Sequence, residues 1–136
     1  MKPNEIMVGN LVHCITDNTN CRIAEISVLD RAEMLGHPYY RTEEGAYNFL
    51  SDIEGIPLAK DILEKNFPTH HHGYFDTYKV NDEIMIEDRS DFMKESYFCV
   101  CQGNYPTASY WTCTIQYVHQ LQNVLALHGI EKEIEL

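Results

Sequence analysis

Basic residues are scarce in this chain. Ten Lys and Arg stand against 21 Asp and Glu, which gives a net charge of −11 and a pI of about 4.9. Binding to DNA or RNA phosphates needs a basic stripe, and binding to anionic membranes needs a basic cluster. No two basic residues are adjacent. Direct nucleic-acid and membrane partners are therefore disfavoured, which leaves a solvated acidic surface, a basic protein partner, or mimicry of nucleic-acid charge.

Long apolar runs are also missing. No stretch of 18 apolar residues is present, and the opening residues lack the apolar core of a signal peptide. We therefore expect a cytoplasmic protein. The cysteines number five, an odd count, and in a reducing compartment they are expected to be buried thiols rather than a disulfide framework.

The common catalytic signatures are absent. The sequence contains no Walker loop, no Gly-x-Gly-x-x-Gly, no Gly-x-Ser-x-Gly and no His-Glu-x-x-His. These absences remove the commonest nucleotide-dependent, esterase-type and zinc-protease enzymes. The sequence indicates no cofactor, and we expect a protein that is not an enzyme.

The length of 136 residues predicts one domain over residues 1–136, with a hydrophobic core large enough to fold without disulfide bonds or bound metals. Short apolar, partly β-branched segments separated by turn residues fill the first 55 positions. They predict a small SH3-like β unit over residues 1–55. The remaining residues, 56–136, form the second part of a possible subdivision.

Helical spacing appears twice in that second part. Pro57 and the apolar spacing after it predict a short helix over residues 56–67, and a loop is expected at residues 69–73. Four strand-like segments between Tyr74 and Ile115 predict an antiparallel meander. The closing helix, residues 116–129, has a clear 3.6-residue period and Gly129 as its C-cap. The fold class is therefore α+β, with this helix packed on the sheet.

Three blocks resemble a family of small uncharacterised proteins from gut Bacteroidetes, their mobile elements and their phages. Similar motifs in that family are an Ile-x-x-Gly-Asn-x-Val start, a mid-chain Ile-Pro-Leu helix and a His-Gln-Leu-Gln-Asn helix with an acidic tail. They match residues 1–12, 53–67 and 117–136, with Phe67-Pro68 departing from an expected Gly-Phe pair. The resemblance implies a bacterial host cell as the setting, and it carries no catalytic residue.

Three consecutive histidines, His70, His71 and His72, are weak candidates for metal ligands. Imidazole binds zinc and nickel well, but adjacent side chains diverge, so further ligands such as Asp76 or His119 would be needed. A polar loop without a physiological metal is the favoured interpretation, and no metal site is predicted.

Two thiols in one strand, Cys99 and Cys101, share a face with Tyr97 because side chains alternate along a strand. With Cys113 of the next strand they could hold a metal, although zinc knuckles use longer spacers. Small apolar core filling is the favoured interpretation. Nothing in the spacing singles out a cysteine nucleophile paired with His119.

Aromatic residues concentrate between positions 97 and 117, and such clusters form binding hot spots as well as cores. A small ligand such as a nucleotide would also need local positive charge for its phosphate. The candidate ligand- or partner-binding residues are Tyr105, Tyr110, Trp111, Arg41 and Arg89.

Three functions remain open from the sequence. The first is a non-enzymatic binding protein of a phage or mobile element that inhibits a host defence or nucleic-acid-processing protein. The second is a small-ligand binder that sequesters a signalling nucleotide, with a homodimer enclosing a symmetric ligand. The third is a metal-dependent hydrolase that uses the histidine segment.

Overall fold

A computed structural model describes residues 5–28, 38–72, 75–93, 96–103 and 110–136. Within these ranges the chain is α+β, as predicted, with two helices and two five-stranded antiparallel sheets. Neither helix has the length and apolar character needed to cross a membrane. The strands are β1 (Leu11–Cys14), β2 (Thr19–Val28), β3 (Pro38–Thr42), β4 (Tyr47–Asn48), β5 (Ile53–Glu54), β6 (Thr69–His72), β7 (Phe75–Lys79), β8 (Ile84–Asp88), β9 (Phe98–Gln102) and β10 (Tyr110–Ile115), and the helices are α1 (Lys60–Asn66) and α2 (Val118–Leu127).

The chain divides into two compact units. The first unit contains Met1–Pro57 and Tyr117–Lys132, and the second contains Leu58–Gln116 and Glu133–Leu136. The possible subdivision at residue 55 therefore differs from the structure in one respect, because α2 belongs with the N-terminal strands.

The first unit is a sheet in the order β4-β3-β2-β1-β5. Strands β1 and β2 form a hairpin, in which Val12 pairs with Cys21, and β2 has an irregularity between Ile23 and Glu25. Asn18, in the connecting turn, has a positive φ of 52°, which asparagine tolerates better than most residues. The SH3-like form of this unit stays a prediction. Its buried cluster contains Ile6, Val12, Cys14, Cys21, Ile23, Tyr40 and Ile53.

A disulfide bond joins Cys14 and Cys21, so the expectation of free thiols is wrong for this pair. The hairpin places the two residues on one buried face with their Cα atoms 6.5 Å apart, within the range that a disulfide spans. The other three cysteines, Cys99, Cys101 and Cys113, are free.

Helix α2 packs against β1 and buries Val118, Leu121 and Leu125. Each of these side chains stabilises the unit by about 1.5–3 kcal/mol. The predicted cap is confirmed: Gly129 has a φ of 68°, and Ile130 N donates to Leu125 O over 2.8 Å.

Three side-chain amides tie α2 to the N-terminal segment, and we call Asn10, Gln122 and Asn123 the amide clasp. Asn10 Nδ2 donates to Asn123 Oδ1 over 2.9 Å, and Asn123 Nδ2 donates to Glu5 O over 2.7 Å. Gln122 Oε1 accepts from Leu11 N over 2.8 Å. The opening and closing blocks of the sequence resemblance therefore meet in one hydrogen-bonded assembly.

The second unit is the predicted meander, in the order β10-β9-β8-β7-β6. The α1 residues Leu63 and Asn66 are buried. The C-terminal segment is ordered by Asn66, whose side chain accepts from Glu135 N over 2.9 Å and donates to Glu135 O over 2.8 Å. Ile134 is buried beside this contact. One face of the sheet presents large buried residues, namely Tyr78, Ile84, Ile86, Phe98 and Val100.

Two local predictions are corrected. The expected loop at residues 69–73 is strand β6 over Thr69–His72, paired with β7. Helix α1 begins at Lys60 rather than residue 56, because Leu58 N donates to Gln116 O in an extended backbone. Between β4 and β5 the chain forms a 3₁₀ turn at Leu50–Asp52, where Phe49 N donates to the Asp52 carboxylate.

Candidate functional site

The two predicted arginines both have carboxylate partners, and they lie in different units. Arg41, on β3, donates through Nε to Glu25 Oε2 over 2.9 Å. Arg89, after β8, donates to Glu87 Oε2 from Nε over 3.0 Å and from Nη2 over 2.8 Å. Its guanidinium also lies 4.7 Å from the centre of the Phe75 ring. Each cation is thus already neutralised by the chain's own carboxylates.

Two of the predicted aromatic residues, Tyr110 and Trp111, lie in the second sheet at a distance from Arg89. The backbones of Tyr110 and Trp111 begin β10, where Tyr110 pairs with Gln102 of β9. The other end of β9, Phe98, pairs with Asp88 immediately before Arg89. Strand rise places these two ends about 14 Å apart. Tyr105 lies outside the described residues.

The three histidines do not share a face. Strand alternation places the backbone positions of His70 and His72 on one face of β6 and His71 on the other. Throughout the described ranges, no group of three His, Cys, Asp or Glu side chains has the arrangement needed to hold a metal ion.

The strand thiols form a packed cluster. Met85, Cys99 and Cys101 are buried together, with Tyr97 against them, which is the packing that alternation predicted. Burial raises the pKa of Cys101 to about 12, with Glu87 adding to the effect, so this thiol stays protonated and is a poor nucleophile. Cys113 pairs with Val100 beyond an irregularity in β10, which places it on the opposite face from Cys101.

Most of the lysine and arginine side chains that the structure describes make contacts within their own unit. Besides the ion pairs, Lys65 Nζ donates to Leu136 O over 2.6 Å. Exposed carboxylates without an ion-pair partner among the described residues remain in both units. Ion pairs among the described residues include Arg22–Glu43, Arg41–Glu25, Lys60–Asp76, Lys60–Glu64, Lys79–Asp82 and Arg89–Glu87.

A cavity in the first unit opens at the start of α2. Ile56 O accepts from Val118 N over 2.9 Å, and Pro57 forms an isolated antiparallel bridge with Tyr117. Gln120 Oε1 accepts from Tyr117 N over 3.2 Å and so caps the helix. The cavity has a volume of about 320 Å³ and is lined by Ile53, Glu54, Gly55, Pro57, Tyr117 and His119.

His119 is the unusual member of this wall. Its imidazole is 0% exposed, and neither ring nitrogen has a hydrogen-bond partner in the part of the chain that the structure describes. The ring stacks on Tyr117 with centroids 5.6 Å apart and planes 14° from parallel. Burial lowers the pKa of His119, although the charge of Glu5 acts in the opposite direction. The imidazole is therefore neutral at pH 7, with one donor and one acceptor nitrogen.

Gly55 permits the close approach of the two rings. A Cβ built on Gly55 would lie 2.7 Å from Tyr117 Cδ1 and 3.1 Å from His119 Cε1. Only glycine fits this position without moving Tyr117.

A second cavity in the first unit is lined by polar side chains that already have hydrogen-bond partners. Its volume is about 430 Å³, and Asn10, Gln122 and Asn123 contribute to its lining. The amides of this clasp already hydrogen-bond one another or the backbone. The smaller cavity is the better candidate because its histidine has unsatisfied nitrogens.

The helical pattern of the closing segment does not predict that His119 is buried. The helical period puts His119 about 100° around the axis from Val118, at the edge of the apolar stripe. It is buried because Gly55 and Tyr117 lie against it. No local signal predicts that contact, since Gly55 lies far away along the chain.

No match to this chain was found among protein-family models, curated proteins or solved structures.

Proposed function

We propose that this protein is a non-enzymatic binding protein of a phage or mobile element, and that its partner is a basic host protein of defence or nucleic-acid processing. One observation carries the proposal. Arg22, Arg41, Lys60, Lys79 and Arg89 are paired with carboxylates of the chain itself. The acidic surplus is therefore left for a partner.

Exposed acids in both units supply the complementary charge. Each is exposed and has no ion-pair partner among the described residues, so its field is not cancelled locally. Exposed acidic side chains raise the association rate with basic surfaces, and the effect falls as salt is added. Members of the set are Asp17, Glu44, Glu54, Glu83 and Asp91.

The alternative of a nucleotide binder has weaker support. Both arginines that were predicted to bind the phosphate donate hydrogen bonds to carboxylates of the chain. Arg89 donates two of them to Glu87. A phosphate would have to compete with these pairs in an acidic protein. A hydrolase based on the histidine strand is supported less again, because His70 and His71 occupy opposite faces.

The proposal places the protein in the cytoplasm of a bacterial host cell. Disulfides are uncommon in that compartment. To test this placement, free thiols are alkylated directly in cells. The fraction of the protein that carries the Cys14–Cys21 bond is then measured.

The function is tested by affinity capture from host lysate at about 50 mM and about 500 mM salt, where the Debye length differs by roughly threefold. Each retained protein is then purified and its affinity for the chain is measured by calorimetry at both salt concentrations. We expect a basic partner that binds at least tenfold more weakly at high salt. A triple variant, Glu44→Gln, Glu83→Gln and Asp91→Asn, should weaken binding at low salt. The proposal is overturned if no partner is retained at low salt, or if its affinity is insensitive to salt.

A further inference from the structure

The cavity beside His119 offers a specific chemistry to a partner. Glu54 contributes an exposed carboxylate, and Tyr117 a ring with 37% of the residue exposed. His119 contributes an imidazole whose acceptor nitrogen is unused by the described residues. Ile53 and Pro57 supply apolar walls. The lining contains no Lys or Arg.

Charge and size narrow the class of ligand. A carboxylate and a neutral imidazole, without a lining cation, disfavour phosphate and carboxylate groups. A volume of about 320 Å³ is at the lower end for small-molecule pockets, so the occupant has the size of one side chain or a small ring. A flat aromatic surface beside a carboxylate is matched by a planar cation with several N–H donors.

We propose that this cavity binds the guanidinium group of an arginine, supplied by the basic partner on which the proposed function rests. The planar cation stacks on Tyr117 and donates hydrogen bonds to Glu54. His119, whose ring nitrogens have no partner among the described residues, lines the same cavity. A partner N–H that reached the acceptor nitrogen would remove the cost of a buried acceptor without a hydrogen bond.

Gly55 keeps the cavity in its observed form. Its Cα approaches the Tyr117 ring so closely that a methyl group would meet Cγ at 2.8 Å and Cδ1 at 2.7 Å. Gly55→Ala should therefore displace the ring on which the guanidinium stacks. Because this variant could also disturb folding, Glu54→Gln serves as the main test: Glu54 is exposed, and glutamine removes only the charge.

The experiment uses the full chain and a small probe, Nα-acetyl-arginine methylamide. Two-dimensional NMR follows the backbone amides and the ring nitrogens of His119 during titration. We expect shifts confined to residues 53–57 and 117–119. The citrulline analogue, which keeps the shape and loses the charge, should bind at least fivefold more weakly, and so should the lysine analogue, which lacks the planar group.

Matched variants separate the site from general acidity. Glu54→Gln should weaken arginine binding at least fivefold, whereas Glu131→Gln, at an exposed acid of the same unit outside the cavity, should leave it unchanged. Equal binding of arginine and citrulline overturns the inference. It is also overturned if the shifts lie elsewhere, or if both variants weaken binding equally.

The outcomes distinguish this site from the proposed function. If a basic partner binds in a salt-dependent manner, but Glu54→Gln leaves its affinity unchanged and the probe gives no shifts, the arginine site fails and the function stands. If the probe binds as expected and no basic partner is retained at low salt, the function fails and the cavity stands as a guanidinium site.

Discussion

His119 shows how one buried titratable residue makes stability depend on pH. Burial lowers the pKa of its imidazole from an ordinary value near 6.5. Above that value the ring is neutral in both the folded and unfolded states, so it adds no pH dependence. Below it, the unfolded chain takes up a proton that the folded chain resists, and the folded state loses stability. The charge of Glu5 reduces this loss without reversing its direction.

We predict that the wild type loses more stability than His119→Leu when the pH falls from about 7.5 to about 5, by about 1.4 kcal/mol for each unit of pKa difference. Urea midpoints at the two pH values measure it. Because every other group is shared, the difference between the two proteins isolates His119. Parallel pH profiles for the two proteins would show that the imidazole is not held neutral.

The Cys14–Cys21 bond closes a short loop around the first hairpin, with the cysteines seven positions apart. Loop-closure entropy assigns such a bond about 2–3 kcal/mol, through its restriction of the unfolded chain. We predict that Cys14→Ser with Cys21→Ser lowers the free energy of unfolding by that amount. Cys113→Ser, at an exposed free cysteine, is the control and should change little. The wild-type protein is also reduced, and its mass confirms that both cysteines have gained a proton. A denaturation midpoint that does not change on reduction would contradict the prediction.

Among the elements, helix α2 depends on the amide clasp as much as on its apolar stripe. Asn123 accepts from Asn10 and donates to the carbonyl of Glu5. Asn10 is buried, so removing its partner leaves a polar group without compensation. We predict that Asn123→Ala costs about 2–3 kcal/mol, measured by chemical denaturation. Leu127→Ala, at a site that is 82% exposed on the same helix, should cost far less, and equal costs would contradict a contribution from the Asn123 hydrogen bonds.

Elements with a strong local period could be predicted from the sequence. The apolar repeat of α2 reflects a face that is buried by its own unit, and the short apolar run Ile84-Met85-Ile86 of β8 is buried throughout. Strand β6 could not be predicted, because its three histidines carry no apolar alternation and its state is decided by pairing with β7. The start of α1 was missed for a similar reason: the backbone of Leu58 is held by Gln116, which is distant in sequence.

At the scale of the whole molecule, the fold class could be predicted from the sequence, but the division into two units could not. The chain leaves the first unit after Pro57 and returns at Tyr117. A sequential split assumes that neighbours along the chain share a core. Helix α2 breaks that assumption, because its polar partners Asn10 and Leu11 lie at the other end of the chain. The His119 cavity was missed with it, since Gly55 and Tyr117 come together only through this return.

Net charge also acts at the scale of the whole molecule. The surplus of 11 negative charges makes the folded chain repel itself, and salt screens that repulsion. Salt also weakens the ion pairs, but pairs as exposed as Arg41–Glu25 contribute only about 0–1 kcal/mol each. Repulsion should therefore dominate the salt response at neutral pH.

We predict that raising the salt concentration from about 20 to about 500 mM, which shortens the Debye length severalfold, raises the melting temperature at pH 7 by a few degrees. Near pH 5, close to the pI of about 4.9, the net charge vanishes and the gain should shrink. Calorimetric scans in NaCl and KCl make the measurement, and agreement between the two salts excludes specific binding of one cation. A melting temperature that falls with salt at pH 7 would mean that the ion pairs outweigh the repulsion. The unpaired carboxylates would then not provide the electrostatic attraction for a basic partner.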